Sequence, residues 1–83
     1  MNKSYDEILN EIFDDFLVKL ADNSDVSLNA FIYVANSIKK FVPKVQEQMK
    51  NANPYVCKAM IEASRTSLSR YDTIAKFLTD KEV

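Results

Sequence analysis

Apolar residues recur along this chain with the period of an α-helix, in three stretches divided by polar punctuation. In the first, Tyr5, Ile8, Leu9, Ile12, Phe13, Phe16, Leu17 and Leu20 follow in alternating steps of three and one. That spacing lays a wide apolar stripe on one side of a helix and leaves carboxylates on the other. Ser4-Tyr5-Asp6-Glu7 precedes it as a capping box, in which the hydroxyl satisfies an orphan N–H and the Glu reaches back. The pattern predicts a helix over residues 5–21.

Asp22-Asn23-Ser24-Asp25 is a polar turn, and Asp25 or Ser27 is placed to cap the next helix. The second stretch predicts a helix over 28–50. Its expected core stripe is Phe31, Ile32, Ala35, Ile38, Val42, Val45 and Met49, while Tyr33, Val34 and Phe41 add apolar surface outside it. Pro43 lacks an N–H and clashes with the preceding turn, so a kink is expected there, a break being the alternative. Asn51-Ala52-Asn53-Pro54 is the clearest punctuation, with Asn53 as a cap and Pro54 at the first helical position. The third stretch alternates steps of four and three through Cys57, Ile61, Ser64, Leu68, Tyr71, Ala75 and Leu78, and predicts a helix over 54–78. The expected fold is all-α: one helical domain over 1–83, with an acidic N-terminal helix packed on a long, Pro-kinked antiparallel hairpin. A three-helix monomer can bury one stripe of the second helix and not both. Self-association is therefore expected, with Phe31, Tyr33, Val34 and Phe41 as its candidate interface.

Eighty-three residues suffice for one core and not for two. The absence of glycine excludes a phosphate-cradling P-loop, a dinucleotide fingerprint and a nucleophile elbow. The absence of histidine removes the commonest base and metal ligand. Glu11, Asp14 and Asp15 lie on the solvent side of the first helix without such partners, and read as solvated acids. Cys57 falls on a core series with nothing to activate it. No catalytic residue, metal site or cofactor is expected. A lone cysteine forms no internal disulfide, which suits a reducing compartment. The longest apolar run, 31–35, is far short of the roughly 20 residues of a membrane span, and the acidic N-terminus lacks a leader's apolar segment. A cytoplasmic protein is expected.

Charge is segregated. Residues 1–27 carry two lysines against seven acids, a net of −5, and residues 28–79 carry eight basic side chains against three acids, a net of +5. The plain reading is that an acidic helix neutralises a basic hairpin. The other reading is a basic surface for an anionic partner, duplex DNA excepted, since the strong basic footprint that binding needs is missing. The candidate site is Ser64-Arg65-Thr66-Ser67-Leu68-Ser69-Arg70-Tyr71, which holds both arginines of the chain. Hydroxyl residues are poor helix formers in a helix interior, and guanidinium with hydroxyl groups suits phosphate oxygens. Arg65 and Arg70 are the candidate phosphate ligands, Thr66 and Ser69 the hydrogen-bonding groups, and Tyr33 and Tyr55 the stacking platforms. The structural alternative pairs Glu62 with Arg65 and uses the serines for close helix packing.

A short first helix, a long hairpin turning at Asn53-Pro54, and Arg65 and Arg70 among hydroxyls in the last helix resemble, over residues 28–79, the phage anti-CBASS sponges that sequester cyclic oligonucleotides. The glutamine-glycine stretch of that family is absent, so no residue role is carried over. The resemblance implies an oligomer that captures a phosphate-bearing cyclic nucleotide in a host-cell cytoplasm as phage counter-defence. The alternative function is a protein-binding inhibitor or immunity factor. It would act on a host protein through the apolar face of the second helix and the acidic face of the first.

Overall fold

The computed structural model describes residues 3–82. Three helices follow one another: α1 over Tyr5–Ala21, α2 over Leu28–Met49 and α3 over Pro54–Lys81. Each starts on a side chain that accepts an orphan backbone N–H. Ser4 Oγ accepts from Glu7 N–H at 3.2 Å, Ser27 Oγ from Ala30 N–H at 3.1 Å, and Asn53 Oδ1 from Val56 N–H at 2.9 Å. Of the two caps open for α2, Ser27 fills the role, while Asp25 N–H donates to Asn23 Oδ1 within the turn. At the other end of α2, the buried Cys57 thiol lies 3.4 Å from the Met49 carbonyl and 3.6 Å from that of Ala52. It thereby reinforces the turn after α2, where the Met49 carbonyl also accepts from the Ala52 N–H at 3.1 Å.

The three helices pack pairwise into an all-α bundle of 46 × 23 × 17 Å. Leu9, Phe13 and Val34 are its largest fully enclosed side chains. Midway along, Phe13 of α1 meets Phe41 of α2 and Tyr71 of α3. Their rings are edge-on to one another, with centroids 5.8–6.4 Å apart. Edge-on contact sets the positive ring edge against a negative face, so the cluster orients the helices as well as filling space.

Continuity of α2 follows expectation, whereas the end of α3 and one face of α2 differ from it. Helix α2 runs unbroken through the exposed Pro43, so the alternative of a break is not realised. Helix α3 continues to Lys81, past the expected end at 78. The cause is tertiary: Thr79 Oγ1 accepts from the Ser27 N–H at 2.9 Å and donates to the Ala75 carbonyl at 2.8 Å, fastening the last turns to the α1–α2 loop. In α2 the core stripe is Ala30, Val34, Ile38, Val42, Val45 and Met49. Ile32, expected inside, is exposed, and Val34, expected at an interface, is fully buried. The stripe is turned because α2 sits between two helices and centres on both.

Candidate functional site

The polar stretch of α3 does not converge. Arg65 and Arg70 are five residues apart, which separates them by about 140° around the helix. Arg65 turns towards α1, where it lines a cavity of about 320 Å³ with Glu11, Asp15 and Lys19. Its Nε lies 3.4 Å from Glu62 Oε1, the pairing the structural alternative requires. The two acids there balance Lys19 and Arg65, so the cavity offers a phosphate no net positive charge. Arg70 is exposed on the far side of the helix.

The hydroxyls turn inward on their own backbone. Ser64 donates to the Met60 carbonyl at 2.9 Å, Thr66 to Glu62 at 3.1 Å, Ser67 to Ser64 at 2.6 Å and Ser69 to Thr66 at 3.0 Å. Such back-bonding is the usual way a mid-helix hydroxyl is satisfied, and it engages the proton a ligand would use. The tyrosines stand apart as well. Tyr55 is 84% exposed in the first turn of α3, whereas Tyr33 lies sixteen residues before the end of α2, about 24 Å along its axis. Within one chain, no single ligand of nucleotide size touches Arg65, Arg70 and both tyrosines.

Of the candidate interface residues, Tyr33 is the most exposed. Phe31 and Phe41 are half-buried against the core, and Val34 is enclosed. The physical reason is that Phe41 turns into the aromatic cluster with Phe13 and Tyr71, and Val34 belongs to the buried core.

What the sequence reading missed is a second heptad-like row on α3, one residue behind the buried one. Val56, Met60 and Ala63 begin it; Ser67 and Arg70 hold its middle; Ile74, Phe77 and Lys81 end it. The steps alternate four and three throughout, so the row keeps to one side of the helix. Its signal was legible as spacing, but small and charged residues in its middle hid it. Beside it on α2 run Tyr33, Ser37, Lys40, Lys44 and Gln48. These two rows form the side of the hairpin away from α1. Phe77 and Tyr33 are each 58% exposed, and Val56 is also open. Two cavities sit along this side. One of about 240 Å³ is lined by Phe41, Val45, Gln48, Met60, Ala63 and Ser64, and one of about 290 Å³ by Asn29, Ala30, Tyr33, Leu78, Lys81 and Glu82.

Electrostatic perturbation is modest. Burial pushes the Tyr71 phenol up, and the adjoining Arg70 cation offsets part of this. Lys76 is raised by its hydrogen bond and charge interaction with Asp72, 2.9 Å away. Among the described residues, no three His, Cys, Asp or Glu side chains gather as metal ligands, and no helix is long and apolar enough to cross a membrane. The chain matches no protein-family model, no curated protein and no solved structure.

Proposed function

We propose that this protein is a non-catalytic binding module that holds another polypeptide through a helical face. The observation that supports this is the uncovered side of the α2–α3 hairpin. It combines Tyr33 and Phe77, each 58% exposed, with two shallow apolar cavities. A chain of this size gains by covering such surface, and among the described residues α1 is already used on the other side, so a partner would supply the cover. The module works in a cytoplasm, where Cys57 stays a thiol.

Capture of a phosphate-bearing cyclic nucleotide is the competing proposal. It needs several copies, each presenting one of its separated groups, and a kink at Pro43 would serve to curve α2 around such an assembly. Native mass spectrometry of protein purified from cells distinguishes the two. The expected result is the chain with a stoichiometric polypeptide, and a melting temperature unmoved by cyclic di- and trinucleotides. A nucleotide retained by an oligomer, with a rise in melting temperature on adding more of it, overturns the protein-binding reading.

A further inference from the structure

The two sides of the hairpin are alike in one respect: both are apolar with basic side chains at the edge. The chain covers one of them itself. It does so with α1, an amphipathic helix that lies within the segment 1–27, whose net charge of −5 faces the +5 of residues 28–79. There Phe13 enters the aromatic cluster, and Glu11 and Asp15 share a cavity with Arg65. Among the described residues the other side has no such cover. By helical register, Lys40 and Lys44 edge it on α2 and Arg70 on α3, all three exposed and none in an ion pair among the described residues. Between them lie Ser37, Ala63 and Ser67, small enough for a helix backbone to come close. The two cavities centre near positions 45 and 31 of α2, fourteen residues or about 21 Å apart.

We propose that this side is the docking groove for one acidic amphipathic helix of a partner protein, seated as a counterpart of α1. The inference rests on the protein-binding reading and adds the partner's chemistry. Two large apolar side chains of the partner, about four turns apart, fill the end cavities. Carboxylates between them face Lys40, Lys44 and Arg70, which speeds encounter and selects against basic helices. A second copy is the poorer occupant. A two-fold pairing centred on this side sets the same three cations of each chain against one another. The outer face of α1 supplies acids but a single large exposed apolar residue, Val18, where two anchors are needed.

The test is selection from a displayed library of amphipathic helices, each of about twenty residues, against the full chain. Recovered helices are expected to carry net negative flanks and two large apolar residues about fourteen positions apart. They are expected to bind at least about tenfold more weakly to the variant Lys40→Glu/Lys44→Glu/Arg70→Glu, and to lose affinity as salt is raised. These side chains are exposed, and an unchanged melting temperature verifies that the variant folds. Neutral or basic binders overturn the proposal, as does an empty selection. So do binders insensitive to the triple variant but lost on Asp14→Lys/Val18→Lys, and a wild-type dimer dissolved by Phe77→Asp. If these fail while a polypeptide still co-purifies, the docking surface is wrong and the protein-binding reading stands. A nucleotide in place of the polypeptide ends both.

Discussion

The hairpin of α2 and α3 shows the same helices under two conditions, one side covered by α1 and the other bare. On the covered side, Leu9 and Phe13 are enclosed, three aromatic rings lock edge to edge, and the nearest cation, Arg65, looks onto acids of α1. On the bare side, the apolar residues stand at the two ends, the middle is small or cationic, and large side chains remain open to water. The difference is not one of overall apolar content. It lies in where the bulk sits: a central bulky cluster closes a side into core, while bulk at the ends with a low centre leaves a groove. The same device that buries α1 against the hairpin is thus left half-built on the other side, and the proposed docking surface rests on that difference.

The sharpest way to break the comparison is to truncate one aromatic on each side. Phe13→Ala removes the centre of the covered side and is expected to cost about 3–5 kcal/mol in denaturant unfolding. Phe77→Ala, on the bare side, is expected to stay within about 0.5 kcal/mol. Equal losses would mean that the bare side is core already. Next in size is Thr79→Val, which keeps the shape but strips the acceptor from the part-buried Ser27 N–H. A loss of about 1–3 kcal/mol is expected, with faster hydrogen exchange at Ser27 and in the last turn of α3. An unchanged exchange rate would show that the end of α3 holds without its tether.

Smaller effects are expected from the arginines. Arg65→Ala removes an exposed ion pair with Glu62 and is expected to change stability by less than about 1 kcal/mol. Arg70→Ala should likewise leave folding intact but weaken any acidic helix bound to the bare side, measured by fluorescence anisotropy. The smallest effect is on pH dependence. The Tyr71 phenol is raised in the folded chain mainly by burial. Above its ordinary value near 10, the unfolded chain therefore holds fewer protons than the folded one, and stability falls as pH rises. Tyr71→Phe is expected to flatten that alkaline decline. A decline of identical slope in the variant would assign it to other groups.

Much of the architecture is local and so was legible in the residues. Caps at Ser4 and Asn53 and the turn before Ser27 set where helices start, because an orphan N–H three residues on needs an acceptor nearby. The stripe of α1 and the Cys57-to-Leu78 series of α3 named their buried sides, since each has one dominant apolar face. The candidate site was legible only as composition. Arg65, Thr66, Ser69 and Arg70 are neighbours in the chain, but the helix spreads them around its axis and back-bonding occupies the hydroxyls.

Tertiary structure decided the rest, and for a common reason. Helix α2 is apolar on more than one side, so its period alone does not choose between Val34 and Ile32 for the core. That choice needs the positions of α1 and α3 together. The end of α3 likewise depends on Thr79 meeting Ser27 from 52 residues away, a contact no local pattern encodes. The bare side is the complement of these decisions. The spacing of its rows was present in the chain from the start, and only the placement of α1 on the opposite side left it exposed.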